Sequence, residues 1–185
     1  MIVTISGTAG SGKSTVGKLL AKKLEVKHYS IGDFMRQIAK ERNLSLEDLG
    51  KIAEGDKSID TTLDNKQIQL GKTADEFVID ARLGYHFIPK SKKIFLTADL
   101  KSRAERIWKD ITIKNTRKEE RGENLKDIIE ELKRREESEK KRYQQYYQTN
   151  PYDKKNYDLV VDSSSISAEA VAEKIISWLK KEKFI

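Results

Sequence analysis

The sequence predicts an α/β fold in which helices cover both faces of a five-stranded parallel sheet. Apolar, β-branched runs recur along the 185-residue chain, and helical patterns lie between them, as in a series of β–α–β units. The first run is followed by a glycine-rich loop and then by a helical pattern, within residues 2–24. This strand–loop–helix order and the length of the chain predict a single three-layer domain.

Five segments have the composition and the length of strands. Four of them are apolar or β-branched over most of their length, and the second is weaker. A parallel arrangement follows from the helical patterns between them, because parallel neighbours need a crossover connection. In chain order the predicted strands are residues 2–6, 26–29, 77–80, 93–98 and 158–162.

The helices are predicted from periodicity and from capping signals. Residues 16–24 continue the glycine-rich loop as a helix, and residues 31–73 are almost wholly helical. Ser45 and Ser167 each precede an acid in the first turn of a helical pattern, which predicts two N-caps. Residues 167–184 form a periodic terminal helix, and its expected buried face consists of Ala170, Val171, Ile175, Trp178 and Leu179.

The glycine-rich loop matches the phosphate-binding motif G-x-x-x-x-G-K-[ST]. Glycines allow a tight turn whose N–H groups converge on phosphate oxygens at a helix N-terminus. We expect Lys13 to reach the β- and γ-phosphates of a nucleoside triphosphate and the Ser14 hydroxyl to bind Mg²⁺. The predicted fold is therefore that of a P-loop NTPase, with these nucleotide-binding residues: Gly7, Thr8, Ala9, Gly10, Ser11, Gly12, Lys13, Ser14 and Thr15.

Composition excludes several classes of protein. The chain has no cysteine, and its two histidines, His28 and His86, are too few and too far apart for a metal site. No apolar run approaches the roughly 20 residues that cross a bilayer. A strand begins at residue 2, which leaves no room for a targeting segment. We expect a cytoplasmic protein with no membrane partner.

The net charge of +7 raises the question of a nucleic-acid partner. Much of the excess lies in residues 101–148, but this stretch is also rich in acids, which is typical of a charged helix rather than a basic tail. No motif that combines aromatic and basic residues accompanies it. We therefore expect no nucleic-acid partner, and we expect a monomer.

Two segments are longer than a minimal sheet requires. Residues 31–73 follow the second strand and residues 109–156 follow the fourth, so both leave the sheet at its C-terminal edge, where open α/β folds bind ligands. They suggest a second substrate site and a cover. Residues 114–122, which are basic and end in glycine, are the candidate tip of a mobile lid. The core then comprises residues 1–30, 74–108 and 157–185.

Four segments in a particular order resemble a known family. SIGDFMR at residues 30–36 follows the second strand, and FVIDARLG at 77–84 contains the third. REESEKKRY at 135–143 precedes YDLVVD at 157–162. Together with the phosphate-binding loop, these segments resemble nucleoside monophosphate kinases, and more specifically the compact cytidylate kinases of archaea.

The resemblance implies in-line transfer of the γ-phosphate of ATP to CMP or dCMP, with Mg²⁺. Residues 31–73 would be the insertion that binds the nucleoside monophosphate, and residues 109–156 the lid and lid helix. Lys13 and four arginines would be catalytic: Arg36, Arg82, Arg135 and Arg142. The expected substrate-binding residues are Ser30, Gly32, Asp33, Arg36, Asp60, Asp64, Arg82, Arg135, Glu139 and Arg142.

The arginines suit this chemistry, because a guanidinium is always charged and can bind an oxyanion through two hydrogen bonds. Arg135, Glu139 and Arg142 have the spacing i, i+4, i+7 and share one helix face. That face could bind phosphates and ribose hydroxyls, as the resemblance implies, or be an exposed face with ordinary ion pairs. Asp80 at the end of the third strand is a candidate Mg²⁺ ligand, or a strand-end acid that backbone N–H groups satisfy.

The residues that recognise the base must be sought in the insertion. Many bacterial cytidylate kinases have a base-binding acid where this chain has Leu83. Asp60, Asp64 and Gln67 have i, i+4, i+7 spacing, and their carboxylates could accept a hydrogen bond from the cytosine N4 amine. The alternatives are a solvated acidic face, or recognition by the Ser30 hydroxyl.

A cluster of tyrosines follows the last arginine: Tyr143, Tyr146, Tyr147 and Tyr152. We expect these side chains to pack the lid helix on the core rather than to stack on a base. Three other functions remain open at this point. They are a kinase for AMP or UMP, a nucleic-acid-associated P-loop ATPase, and a nucleotide switch without chemistry.

Overall fold

The computed structural model describes residues 1–113 and 123–185. Its centre is a parallel sheet of five strands in the order β2-β3-β1-β4-β5. This arrangement confirms the predicted fold class, and each strand lies within two residues of its expected bounds. The strands are β1 (Ile2–Gly7), β2 (Lys27–Ser30), β3 (Phe77–Asp80), β4 (Lys92–Thr97) and β5 (Leu159–Asp162).

The central strand β1 is buried along its whole length. It pairs with β3 on one side, where Ile5 lies opposite Asp80, and with β4 on the other, where Gly7 lies opposite Leu96. Among the described strands, β2 pairs only with β3, and Ser30 lies opposite Asp80. The C-terminal ends of β1, β2 and β3 therefore meet at one edge of the sheet.

Eight α-helices and one short 3₁₀ helix lie in the described residues. The helices α2, α3 and α4 form the segment between β2 and β3, as predicted. The helices are α1 (Lys13–Lys23), α2 (Ile31–Glu41), α3 (Leu46–Gly55), α4 (Lys57–Thr73), α5 (Gly84–Phe87), α6 (Leu100–Thr112), α7 (Leu125–Tyr147) and α8 (Ala168–Lys181), and the 3₁₀ helix is Lys154–Asn156.

The hydrophobic core has separate parts on the two faces of the sheet. On one face α1 and α8 pack on the central strands, with Leu20 and Ile175 completely buried. On the other face the insertion packs through Leu63 against Phe77 and Ile79. A further apolar cluster joins α6 to α7 beside the glycine-rich loop.

Both predicted N-caps are confirmed. The side chains of Ser45 and Ser167 accept hydrogen bonds from Asp48 N and Ala170 N. The predicted buried face of α8 is wrong at Ala170, which is exposed, whereas Ala172 is buried.

The helix after the glycine-rich loop begins at Lys13 rather than at residue 16, because the loop leads into the helix without a linker. The expected lid tip at residues 114–122 lies outside the described residues. Within residues 1–113 and 123–185, no helix is both long and apolar enough to cross a membrane.

Candidate active site

The glycine-rich loop leaves the C-terminal end of β1 and turns back into α1. Its glycines Gly7, Gly10 and Gly12 have φ values of 145°, 79° and 88°, which side chains disfavour. Space is limited as well: a Cβ on Gly7 would lie 2.0 Å from Leu96 O, and one on Gly10 would lie 2.7 Å from Arg103 O. The backbone thus requires glycine at both positions.

The N-terminus of α1 has the features of an anion site. Gly12 is the N-cap residue and provides no side-chain hydrogen bond to the first turn. Lys13 Nζ donates to Thr8 O at 2.7 Å and so lies across the loop. Burial, and secondarily the Arg82 charge, hold the pKa of Lys13 well below its usual value. An anion bound in the loop would raise the pKa of Lys13 again, because a nearby negative charge favours the charged ammonium group.

Asp80 is buried at the end of β3 and accepts three side-chain hydrogen bonds. Ser14 Oγ and Ser30 Oγ donate to its Oδ1 at 3.0 Å and 3.1 Å, and His28 Nε2 lies 2.9 Å from its Oδ2. The alternative that backbone N–H groups bind the Asp80 carboxylate is therefore wrong. A carboxylate beside a hydroxyl suits a hard cation such as Mg²⁺.

His28 was overlooked from the sequence as a neighbour of this site. It lies two residues before Ser30 on β2, so the two side chains share one face of the sheet. Gly17 leaves the space for the imidazole, since a Cβ there would lie 2.6 Å from His28 Nε2. The i, i+2 spacing of His28 and Ser30 indicates that their side chains share a face. Only the pairing of β2 with β3 shows that this face lies beside Asp80.

Glu139 on α7 is the centre of a buried charge network. It accepts from Arg82 Nε at 2.5 Å and from Arg135 Nε at 3.2 Å, and the Tyr152 hydroxyl also donates to it. Burial raises the pKa of Glu139, but Arg82 and Arg135 outweigh burial and the net shift is downward. Arg82 Nη1 also donates to Gly7 O at 2.5 Å, so this network is tied directly to the phosphate-binding loop.

Arg142, one turn further along α7, pairs with the insertion. Its Nε lies 2.7 Å from Asp60 Oδ2, and its Nη1 donates to Gly50 O at 3.3 Å. Arg142 and Asp60 are 3% exposed each. Arg135, Glu139 and Arg142 therefore share a helix face that is turned inward, and the exposed ion-paired helix is the wrong alternative.

The acidic residues of α4 are buried too. Asp64 is 8% exposed and accepts from the Tyr147 hydroxyl and, at 3.3 Å, from Gln67 Nε2. Burial raises the pKa of Asp64 to about 7 and that of Asp60 to about 6, although Arg142 opposes the shift at Asp60. The solvated acidic face is thus wrong, and α4 presents polar groups to the cleft.

Arg36 lines the cleft from α2 and pairs with Asp33, which is half exposed. The Asp33 side chain itself does not line the cleft, and neither does Ser30. Ser30 instead caps α2, accepting from Asp33 N at 3.2 Å, while its hydroxyl donates to Asp80. Both residues thus lie beside the cleft and not in its wall.

Most of the predicted groups converge on one open cleft. Its walls combine the phosphate-binding loop, α1, α2, α4, the segment after β3, and α7. The sequence-predicted residues that line it are Ala9, Gly10, Gly12, Lys13, Ser14, Thr15, Gly32, Arg36, Asp60, Asp64, Gln67, Asp80, Arg82, Arg135, Glu139 and Arg142. Such a row of arginines beside a phosphate-binding loop can hold two phosphate chains close together.

Two further arginines support the loop from α6 and were not anticipated. Arg103 is buried, pairs with Glu136 and lies 3.5 Å from Ala9 O. Arg106 Nη1 donates to Gly10 O at 3.4 Å and to Ser163 Oγ at 3.1 Å. Their i, i+3 spacing was visible in the sequence, but nothing in it indicated that α6 packs behind the loop.

Comparison with known families agrees with this geometry. The model of the cytidylate kinase-like family matches residues 2–165. The chain belongs to this family. It is 37% identical to the cytidylate kinase of Methanococcoides burtonii, covering 89% of this chain and 88% of that protein. It is 36% identical to the cytidylate kinase of Methanocella arvoryzae over 98% of this chain and 99% of the relative.

Solved structures show that this member of the family shares its fold with other small kinases. Shikimate kinase from Bacteroides thetaiotaomicron has a TM-score of 0.63 at 15% identity, with 97% of this chain and 98% of the other covered. Shikimate kinase from Acinetobacter baumannii, solved with shikimate, has a TM-score of 0.61 at 14% identity, with 100% and 95% covered. At these identities the likeness concerns the fold alone.

Proposed function

We propose that the protein transfers the γ-phosphate of ATP to CMP or dCMP and releases ADP and CDP or dCDP. The observation that carries this proposal is the convergence of four arginines on the cleft beside the phosphate-binding loop, in a chain of the cytidylate kinase-like family. A switch that only binds a nucleotide has no use for a second set of phosphate ligands.

The loop fits the triphosphate of ATP. The uncapped N-terminus of α1 and the glycine positions that exclude a Cβ leave backbone N–H groups for phosphate oxygens. Lys13 would exchange its contact with Thr8 O for the β- and γ-phosphates. Residues 7–15 are thus proposed as the donor site.

Ser14 and Asp80 fit Mg²⁺, because their oxygens lie 3.0 Å apart at the end of the loop. When bound there, Mg²⁺ would neutralise phosphate charge and orient the phosphates. His28 and Ser30 would orient the Asp80 carboxylate through their hydrogen bonds.

The acceptor side is assigned to residues 31–73 and to α7. Arg36 and Arg82 would bind the phosphate of CMP, and Arg135 and Arg142 would neutralise the phosphates that exchange the γ-phosphoryl group. Glu139 would bind ribose hydroxyls. Each arginine has a protein partner in the free enzyme, so substrate phosphates would replace carboxylates that already hold the guanidinium groups in place.

The base would lie against α4. Asp60 or Asp64 would accept a hydrogen bond from the cytosine N4 amine, which uracil lacks. The burial of both carboxylates supports this role, because a polar group without a partner in a buried pocket discriminates strongly between ligands. Residues 109–156 would form the lid and lid helix and exclude water, and the enzyme would act as a monomer.

A coupled assay of ADP release tests the proposal. The purified protein is supplied with ATP, Mg²⁺ and one of CMP, dCMP, UMP or AMP, in parallel with RNA in place of the monophosphate. We expect turnover with CMP and dCMP to exceed that with UMP and AMP, and RNA to have no effect. Preferred turnover of AMP or UMP, or ATPase activity that depends on RNA, would replace the proposal with the corresponding alternative.

A further inference from the structure

Tyr147 reaches from the last turn of α7 to the polar face of α4. Its hydroxyl donates a hydrogen bond to Asp64 Oδ2, and Gln67 Nε2 donates to Oδ1 at 3.3 Å. Each oxygen of the carboxylate thus accepts one hydrogen bond from the protein, and each keeps capacity for a second. Asp64 and Gln67 line the cleft, whereas Tyr147 contacts Asp64 but does not line the cleft.

We propose that Tyr147 is a positioning residue for base specificity: it holds Asp64 as an ionised hydrogen-bond acceptor, and the enzyme thereby prefers cytosine to uracil. This inference rests on the proposed function and on Asp64 as the group that contacts the base. It adds a residue outside the cleft, and a chemical reason for the preference.

The protonation state of the Asp64 carboxyl group determines whether it binds cytosine or uracil. An ionised carboxylate only accepts hydrogen bonds, so it binds the N4 amine of cytosine and repels the O4 carbonyl of uracil. A protonated carboxyl group carries one donor and can bind the uracil O4. A residue that keeps Asp64 ionised therefore favours CMP over UMP without contacting either base.

The surroundings of Asp64 make this state sensitive to a single hydrogen bond. Burial, and secondarily the neighbouring Asp60, raise the pKa of Asp64, whose net value is about 7. The Tyr147 hydroxyl, Lys57 and Arg142 lower it. These groups on α4 and α7 are the titratable and charged ones that face the carboxyl group, and Tyr147 is the largest of the opposing influences.

The neighbouring tyrosine provides a matched control. The Tyr146 hydroxyl donates to Ala53 O and Glu54 O, both at 3.0 Å, and does not contact Asp64. The Tyr147 ring packs against Phe87 with a centroid separation of 5.4 Å. Substitution of either tyrosine by phenylalanine keeps the ring and removes only the hydroxyl, so the fold should tolerate both changes.

The experiment compares kcat/KM for CMP and for UMP between about pH 6 and pH 8.5. It uses the full-length wild type, Tyr147→Phe, Tyr146→Phe, Asp64→Asn and the double variant Tyr147→Phe/Asp64→Asn. We expect Tyr147→Phe to lower the CMP/UMP ratio at pH 7 by roughly fivefold to tenfold, in the range of the net contribution of one ordinary hydrogen bond. Titration of the substrate phosphates cancels in the ratio, because both substrates carry the same phosphate.

Three further results are expected if Tyr147 acts through Asp64. The pH at which discrimination is lost shifts upward in Tyr147→Phe, Tyr146→Phe keeps the wild-type ratio, and Tyr147→Phe has no additional effect when Asp64 is asparagine. An unchanged ratio in Tyr147→Phe, or an equal effect in both backgrounds, would overturn the inference. Failure of the proposed function is distinguishable, since the wild type alone would then fail to phosphorylate CMP or would prefer AMP or UMP.

Discussion

At the scale of single residues, Lys13 is the clearest test of the donor site. Its ammonium group spans the loop to Thr8 O and belongs to no hydrophobic cluster, so Lys13→Ala should abolish turnover and leave the fold intact. The exposed Lys18 on the same helix provides the control Lys18→Ala, which should keep wild-type activity. Steady-state kinetics and circular dichroism check both. Near wild-type turnover in Lys13→Ala would refute the kinase function.

Arg36 tests the acceptor site more cleanly than Arg82 does, because Arg82 also bonds to Gly7 O in the donor loop. Arg36→Ala should raise the KM for CMP and leave the KM for ATP nearly unchanged. The loss of one charge-assisted contact costs on the order of 1.5–3 kcal/mol, or roughly 10-fold to 150-fold in affinity.

The matched control for Arg36→Ala is Arg42→Ala, at the exposed end of the same helix. This variant should behave as wild type toward both nucleotides. A change in the KM for ATP with an unchanged KM for CMP in Arg36→Ala would mean that the two sites have been assigned the wrong way round.

The sequence predicted a site residue where its spacing placed it on one helix face with other candidates. It did not predict a residue whose contact partner is distant in the chain. Asp64 was a candidate because of its spacing from Asp60 on one helix. Tyr147 was expected only to pack, since its hydrogen bond joins it to a residue of another helix, Asp64, that lies 83 positions away in the sequence. The role of His28 likewise depended on strand pairing, which local patterns do not specify.

At the scale of helices, α7 carries two neighbouring cations in contrasting environments. Arg142 is buried and pairs with Asp60, whereas Lys141 is exposed and pairs with Glu54 on α3 at 2.9 Å. Arg142→Ala should lower the free energy of unfolding by about 3 kcal/mol, because it leaves Asp60 buried without its cation. Lys141→Ala should cost less than about 1 kcal/mol. Urea unfolding compares the two, and equal effects would contradict the buried pairing.

The glycine-rich loop allows a similar contrast. In Gly7→Ala the new Cβ would meet the backbone of β4 at a φ of 145°, so we expect a loss of about 3 kcal/mol in stability together with loss of ATP binding. Gly55 at the end of α3 has no atom within 4 Å of such a Cβ. Gly55→Ala should therefore be nearly neutral in thermal unfolding. If Gly7→Ala were as stable as Gly55→Ala, the loop would tolerate a side chain at residue 7 and the prediction would be wrong.

At the scale of the whole molecule, the buried carboxyl groups of α4 make stability depend on pH. The pKa values of Asp60 and Asp64, about 6 and about 7, lie above those of unfolded aspartates, so the folded protein binds protons that the unfolded chain releases. The free energy of unfolding should therefore decrease as pH rises from about 4 to about 7. The burial of these two carboxyl groups therefore opposes folding at neutral pH.

Asp64→Asn should weaken that dependence. The amide cannot ionise, so its burial costs no more at pH 7 than at pH 5, and the ligand-free variant should gain stability relative to wild type as pH rises over this range. Urea denaturation at a series of pH values measures the slope. A slope equal to that of wild type would mean that Asp64 is ionised in the folded protein throughout the range.

The architecture as a whole was more predictable than the site. Strand composition, helix periodicity and one loop motif were sufficient for the parallel sheet and for both long segments at its C-terminal edge, because these patterns are local. The inward orientation of α7 was not local. Arg135, Glu139 and Arg142 fit an exposed helix equally well until the packing of α7 against α3 placed them in the cleft.

The central position of β1 has a consequence for how the chain is made. Strand β1 precedes the other four strands in the sequence and pairs with β3 and β4, whereas β2 pairs with β3. A nascent chain that ends before residue 77 therefore contains β1 and β2, which are not neighbours in the sheet. Strand β1 can pair on both sides only after residues 92–97 of β4 have been made. One edge of this mostly apolar strand lacks its partner until residues 77–80 are made and the other until residues 92–97, so an incomplete chain exposes a strand edge that favours aggregation.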